Sequence, residues 1–412
     1  MTSPIMNALD ALVKSKGGQI AEWFEAAYAQ GNTPFYSSVD LRHSGHKLVP
    51  VDTNLFPAGF NNLSPSACIR AVEQIKCYIA AQSVPIKSVL ILPENHTRNT
   101  GYIDNLAALY GLIEQAGLEV RIGRMDAEED ITEVQTSDER ILKQYALQKD
   151  GTQVRTFDGF TPDMVLVNND LTAGSPNILR GVTQHIMPPV GQGWYRRKKT
   201  IHFEAYDETA RQFGSDFDIE PWLISSVFHK CGLINFRERK GIDCVALGVE
   251  KVIRQVKEKY AQHGIKEEPY AFVKADSGTY GMGIMIVRSG EDVVEMNKKS
   301  RNKMNAIKEG VLTTEVIIQE GIPSIDAVDG APAEPMIYMV NGQAVGGAFR
   351  TNGEKDNVSN LNSRGMRFVG MCDEGEDGKA RVTGCNFAVY GLVGRLATLA
   401  ATREEYGDDY QI

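Results

Sequence analysis

The sequence predicts an N-terminal α/β domain over residues 1–200, followed by an α+β domain over 201–412. Three observations lead there. In the first half, short apolar runs alternate with helical segments, the arrangement of a largely parallel sheet. From residue 270, β-rich runs recur with short joints, and Asn341-Gly342 is a hairpin dipeptide between two of them, the mark of an antiparallel sheet. The chain has 412 residues, more than one core commonly serves at about 100–200 residues per domain.

The elements follow in order. Leu9, Leu12, Val13, Ile20, Trp23, Phe24 and Tyr28 stand at loosely helical spacing, interrupted by Gly17-Gly18. A polar stretch marked by Gly and Pro, HKLVPVDTNLFPAGFNNLS, runs from 46 to 64. Residues 65–82 read as helix, SVLILP (88–93) as strand, 102–116 as helix ending at Gly117, and LEVRIG (118–123) as strand, a β-α-β unit. MVLVNN (164–169) is another buried strand. Residues 203–262 are helix-rich and close with the amphipathic EKVIRQVKEKYAQ. The later strands are YAFVKA (270–275), GIMIVR (283–288), EVIIQE (315–320), PMIYMV (335–340) and QAVGGAFR (343–350).

Composition narrows the function. At 42% apolar and 24% charged the chain is ordinary globular protein. With 44 Lys+Arg against 53 Asp+Glu the net charge is −9, which argues against nucleic acid or an anionic membrane as a partner but allows a local basic pocket. No apolar run nears the roughly 18 residues of a membrane span, and the N-terminus lacks the apolar core of a signal peptide, so a cytoplasmic address is expected. Six scattered cysteines without a C-x-x-C pair read as buried small hydrophobes in a reduced compartment. The histidines show no H-x-x-x-H or H-E-x-x-H spacing, and His43 with His46 sits in a Gly/Ser-bearing segment unsuited to a structural metal site. The sequence leaves homo-oligomerisation open.

The strongest chemical feature is YAFVKADSGTYGMGIMIV at 270–287. An apolar strand carries Lys274, and a loop with Gly278, Gly281 and Gly283 leads into another apolar strand. Glycines let backbone N–H groups approach a phosphate, and the lysine supplies a compact positive charge. Without G-K-[ST] leading into a helix this is not a P-loop, and a following strand excludes a dinucleotide fingerprint. Downstream, VIIQEGI (316–322) ends a strand in Gln319-Glu320, where backbone groups and a carboxylate suit an adenine edge or a ribose. Glu334 precedes the next strand, and the hairpin then delivers Arg350, placed to brace a transferring phosphoryl group.

In the first half, Asn54, Asn61, Asn62, Asn95, Arg98 and Asn99 lie in loops suited to hydrogen-bonding a small polar molecule, with Arg98 able to grip a carboxylate bidentately. Asn168-Asn169-Asp170 ends a parallel-type strand, where α/β sheets place ligand contacts. Arg196-Arg197-Lys198-Lys199 reads as a solvated run or as the border of an anion-rich centre.

The order of strand lysine, glycine loop, Gln-Glu hinge and arginine-bearing strand resembles the ATP-grasp fold. Asn360-Leu361-Asn362-Ser363-Arg364-Gly365, ten residues after Arg350, is similar to the N-L-x-x-x-G element of glutathione-pathway ligases. Over nearly its full length the chain resembles the proteobacterial ATP-grasp-type glutamate–cysteine ligases, through VDTNLFPAGFNNL (51–63), PENHTRNTGY (93–102), NNDLTAG (168–174) and GWYRRKKTIHF (193–203). The resemblance implies ligation of L-glutamate to L-cysteine with ATP and Mg2+, the first step of glutathione biosynthesis. It implies that Lys274, Ser277, Gly278, Thr279, Tyr280, Gly281, Gly283, Gln319, Glu320, Ile322 and Glu334 hold ATP, that Arg350 and Lys274 serve catalysis, and that Asn54, Asn61, Asn62, Arg98, Asn168, Asn169 and Lys199 hold substrate. ATP-grasp enzymes commonly place magnesium on an acidic residue and an E-x-N pair of late strands. The single E-x-N here, Glu295-Met296-Asn297, lies in a polar helix, so Asn360, Asn362 and Asp356 are the expected metal residues. The alternatives are another ATP-grasp carboxylate–amine ligase, such as a glutathione synthetase-like enzyme, and a non-catalytic nucleotide-binding protein.

Overall fold

The structure is a computed structural model and describes residues 3–29, 33–94, 99–125, 129–277, 283–305, 312–363, 365–371 and 386–405. In chain order, helix α1 (Pro4–Tyr28) leads to strands β1 (Tyr36–His43) and β2 (Leu48–Asn54), helix α2 (Pro65–Ala80), β3 (Ser88–Pro93), α3 (Thr100–Gln115) and β4 (Glu119–Arg124). Strands β5 (Ile131–Gln135), β6 (Ile141–Asp150), β7 (Gln153–Thr156), β8 (Met164–Asn168) and β9 (His185–Met187) follow, then α4 (Lys199–Phe217), β10 (Phe228–Cys231) and α5 (Ile242–Gln262). The remainder is β11 (Ala271–Ala275), β12 (Ile284–Val287), α6 (Gly290–Val294), α7 (Lys298–Met304), β13 (Val316–Glu320), β14 (Ala327–Val328), β15 (Ala331–Val340), β16 (Gln343–Thr351), β17 (Arg367–Gly370) and α8 (Phe387–Ala401).

Local chemistry starts the helices. The Ser3 hydroxyl accepts from the Met6 N–H with Pro4 at the first helical position, Ser64 and Pro65 repeat the device, and the Asn99 side chain caps α3. The expected interruption of α1 is a kink, with Lys16 outside helical geometry beside Gly17-Gly18.

The strands form three sheets. One has the order β5-β6-β4-β3-β8-β9; β4, β3, β8 and β9 are parallel, as expected, and β5 and β7 pair antiparallel with β6. A second, β10-β13-β11-β12, is antiparallel and carries Lys274 and Gln319-Glu320. The third is also antiparallel, in the order β17-β16-β15-β1-β2, and joins the two halves of the sequence. The β1–β15 ladder pairs Tyr36 with Val340 and Asp40 with Met336. The division at residue 200 is therefore not how the sheets divide, because β1 and β2 belong with β15–β17.

Pattern reading missed β1 and β2 because their burial is not purely apolar. YSSVDLRH buries Ser37, Ser38, Arg42 and His43, whose polar groups find partners inside the protein. Above this sheet lies α8, buried along nearly its whole length, forming one core with α1 and α4. A second core lies around α2 and α3, and a third lies under α5, whose Val245, Val249, Val252 and Val256 face the β10–β13 sheet. Full burial of such side chains is worth about 1.5–3 kcal/mol each. No helix among the described residues is long and apolar enough to cross a membrane.

Candidate active site

Two adjoining cavities lie where the three sheets meet. The first, ≈ 760 Å³ including space open to solvent, is lined from β11 by Phe272, Lys274 and Ala275, from β13 and its exit by Glu320 and Ile322, and from the joining sheet by Asp40, Arg42, Asp52, Glu334 and Arg350. The second, ≈ 1350 Å³ on the same measure, is walled by Asn54, Asn61, Asn62, Glu94, Tyr102, Asn168, Asp170, Met336 and Phe368. Asp40, Asp52, Arg350 and Asn362 line both.

On the side of the β10-β13-β11-β12 sheet, the Lys274 ammonium donates to Gln319 Oε1 at 2.8 Å and to the Val51 carbonyl at 3.3 Å. Gln319 does not line the cavity itself; its Nε2 donates to Ser226 Oγ, so it fixes the lysine from behind. Burial pushes the Lys274 ammonium down to about 8, against the pull of Asp52. Glu320 Oε2 accepts from Lys47 Nζ at 2.7 Å and from the Val227 N–H at 2.9 Å, and Lys47 sits 4.0 Å over the Trp222 ring. The other oxygen, Oε1, is buried without a hydrogen-bond partner among the described residues. An acceptor left open in a cavity wall suits an amino or hydroxyl group of a ligand.

The joining sheet supplies a charged lattice. Arg350 donates to Asp40 Oδ2 at 2.9 Å and to Glu334 Oε1 at 2.7 Å. Arg42 Nε donates to Glu334 Oε2 at 2.9 Å, while its other nitrogens hold the carbonyls of Ile322, Asn357 and Ser359. Burial works against the Arg350 charge, but Asp40 and Glu334 outweigh it and raise its pKa. Burial alone would raise Glu334 too, yet Arg42 and Arg350 hold it below the ordinary carboxylate range. Asp52 likewise stays low despite burial, through Lys199 (2.6 Å), Lys274 and Arg197. The ladder seats Asp40 directly opposite Asp52, and Glu334 opposite Arg350.

Several expected residues meet here. Lys274, Ser277, Glu320, Ile322, Glu334, Arg350, Lys199, Asn360 and Asn362 line the first cavity, and Asn54, Asn61, Asn62 and Asn168 the second. Glu334 lies within β15 rather than before it, and its oxygens go to two arginines. Asn168 is scaffold as well as wall: Tyr36, Pro57, Tyr102 and Asn105 take up its amide. Asn169 stands outside both linings, with its amide bonded to the Pro93 carbonyl and the Leu171 N–H. Gly283 takes φ +62° just before β12 and is not part of the wall. Gly278, Thr279, Tyr280, Gly281 and Arg98 lie outside the described residues. The 197–199 stretch is not a solvated run: Arg197 pairs with Glu404 at 2.6 Å, Lys198 with Glu315 at 2.7 Å, and Lys199 with Asp52.

The expected metal residues separate. Asp356 is exposed and closes a turn by accepting from Ser359, and Asn360 Oδ1 accepts from the Asn362 N–H. Two amides are a poor set for a hard cation. The Glu295-Met296-Asn297 triplet links α6 to α7 rather than lying in a helix: Glu295 and Asn297 are exposed, with Asn297 capping α7, but Met296 is buried in the core under α5. An acidic-x-Asn pair does line the cavities, but on an early strand: Asp52 lines both, whereas Asn54 lines only the second and ties its amide to the Phe56 backbone, and Glu334 lines only the first. Among the described residues no three His, Cys, Asp or Glu side chains form a ready-made metal cluster. Mg2+ takes one or two carboxylates and completes its shell with phosphate oxygens and water, and Asp52 is a carboxylate that lines both cavities. Asp40, Arg42, Asp52 and Lys47 were missed by sequence reasoning, although Lys47 and Asp52 lay in the polar stretch 46–64 already singled out.

The model of the glutamate–cysteine ligase family matches residues 10–405. The chain belongs to that family. Within known structures, this ligase resembles a protein of Methylobacillus flagellatus KT assigned as a gamma-glutamylcysteine synthetase, at 38% identity and TM-score 0.87, covering 98% of this chain and 96% of that one. D-alanyl-alanine synthetase A of Vibrio cholerae O1 biovar eltor str. N16961 is a distant neighbour, with TM-score 0.30 and 13% identity over 69% of this ligase and 73% of that chain, too remote to inform it. No curated protein matched in a sequence search.

Proposed function

We propose that the protein joins the γ-carboxylate of L-glutamate to the amine of L-cysteine through an acyl phosphate, releasing γ-glutamylcysteine, ADP and phosphate. Beyond family membership, one observation carries this reading: Arg350 lines both cavities and stands at the boundary a phosphoryl group crosses between nucleotide and carboxylate.

A carboxylate is a poor electrophile, and an amine does not displace oxide from it. Phosphorylation turns that oxygen into a good leaving group, after which the task is positioning and charge neutralisation. Lys274 meets nucleotide phosphates from β11, together with Ser277 and the glycine loop that follows. Glu320, held by Lys47, offers its open oxygen to the nucleoside beside the apolar Ile322. Arg350, oriented by Asp40 and Glu334, faces the transferring group, and the second cavity with Asn54, Asn61 and Asn62 takes the amino-acid substrates. Asp52, the carboxylate on the early strand that lines both cavities, would hold Mg2+, which when bound would offset the negative charge of the phosphates. No protein nucleophile is required, so each single Cys→Ala variant that folds is expected to keep its catalytic rate.

The test is ADP release with ATP, Mg2+ and a panel of amino-acid pairs, with products identified by mass. Release that needs both glutamate and cysteine, with γ-glutamylcysteine formed, is the expected result. Release that needs γ-glutamylcysteine and glycine instead would replace this reading with a glutathione synthetase-like one.

A further inference from the structure

We propose that Cys231 and Cys244 are a dithiol pair that closes to an intrachain disulfide when the protein meets the disulfide of a small aminothiol. The sequence offers no hint of pairing, since the two are separated by 12 residues in different elements. The fold brings them together: Cys231 ends β10, and Cys244 is the third residue of α5. Their sulfurs are 3.1 Å apart, and Cys231 Sγ also donates to the Cys244 carbonyl at 3.3 Å. A disulfide bond is about 2.05 Å long, so closure asks for a movement of roughly 1 Å. Helix α5 lies close on the strand because Gly248 has no side chain; a Cβ there would meet Ile318 Cδ1 at 2.5 Å and Cys231 Sγ at 3.4 Å. The pair is therefore clamped by packing of the core under α5. Cys68 turns instead to the Leu63 carbonyl.

Exposure sets the order of events. Cys244 is exposed and Cys231 buried, so an oxidant in solution reaches Cys244 first. Burial, with Cys244 alongside, pushes the Cys231 thiol up to about 12, which assigns it the second step. In the first step Cys244 sulfur attacks one sulfur of R–S–S–R; that bond breaks, R–SH leaves and Cys244–S–S–R forms. In the second, Cys231 sulfur attacks Cys244 sulfur and expels the other R–SH. Two protein thiols give up two electrons and two protons, and both appear in the two R–SH molecules. The link ties the start of α5 to β10. The same strand pairs Phe228 with Gln319 and follows Ser226 and Val227, which hold Gln319 and Glu320.

The full chain should be incubated with L-cystine, quenched in acid, alkylated and mapped as peptides without reduction. The expected product is one linked peptide pair carrying Cys231 and Cys244, two hydrogens lighter than the separate peptides. In Cys231→Ala the same treatment should stop at cysteine attached to Cys244. A wild-type protein that keeps cysteine on Cys244 without linking, or links through Cys68, Cys77, Cys372 or Cys385 instead, would overturn the proposal. The wild-type map is decisive by itself, whether or not the alanine variant folds.

Discussion

At Lys274 a positive charge is held inside the protein against its own solvation. Burial brings its pKa from 10.5 to about 8. Because the folded value lies below the unfolded one, the unfolded chain binds more protons between these two values, so this residue adds stability as pH rises through that window and adds none below about 8, where both states are protonated. Activity runs the other way, since only the charged form attracts phosphate. ATP affinity of the free protein is expected to fall as pH passes about 8. Lys274→Arg should remove that fall, because a guanidinium stays charged there; direct ATP titration on either side of pH 8 checks both. Lys274→Met removes a preorganised charge, which costs about 3–4 kcal/mol of barrier, or roughly 10²–10³ in turnover. Near-normal turnover in a folded variant would take Lys274 out of the site. Arg350 presents a different kind of charge, a planar fork spanning Asp40 and Glu334. A lysine keeps the charge but not the fork. Arg350→Lys is expected to lower turnover much more than it weakens ATP binding; equal losses in kinetics and in direct binding would point to ground-state contact alone.

The β15–β16 hairpin carries both Glu334 and Arg350, so its turn, together with the register shift between Tyr338 and Met339, sets the register of the charged lattice. Asn341 and Gly342 take φ of 52° and 67°, the left-handed geometry that suits a two-residue hairpin. A Cβ on Gly342 would also meet the Tyr28 ring at 2.7 Å. Gly342→Val is expected to destabilise the protein by at least about 1–2 kcal/mol. A lower urea midpoint with unchanged activity per folded molecule would show this; an unchanged midpoint would show that the turn does not hold the register. This hairpin was legible because Asn-Gly between apolar runs has a local cause. Strands β1 and β2 were not, because Arg42 of β1 pairs with Glu334, 292 residues away, and Lys47, just before β2, pairs with Glu320, 273 residues away. A charged side chain in a strand looks solvated until its partner is known.

Across the whole molecule, the joining sheet makes the two halves of the sequence one folding problem. β15 is a central strand of that sheet, with β1 on one side and β16 on the other. Separating the chain at residue 200 would strip β1 from it and leave Glu334 and Arg350 without Arg42 and Asp40. Removing one partner of a buried ion pair costs about 3–5 kcal/mol. The fragments 1–200 and 201–412 are each expected to lack a cooperative thermal transition and ATP binding when expressed alone. A cooperative transition in fragment 201–412 would restore an independent second domain.

The sequence by itself determined the local matters: the parallel β-α-β unit, the run of strands from YAFVKA to QAVGGAFR though not their division between two sheets, the Asn-Gly turn, and Lys274, Glu320 and Arg350, which line one cavity. Each has a cause within a few residues, in hydrophobic period, turn geometry or a charge set in an apolar strand. Tertiary structure alone decided that β1 and β2 complete the second half's sheet, that Asp40 and Asp52 stand side by side, that Asp356 is a turn residue, and that Arg197 is buried against Glu404. The physical reason is that a buried charge is stable only with its counter-charge. The identity of that partner depends on how distant strands pair, which hydrophobic period and turn chemistry do not encode.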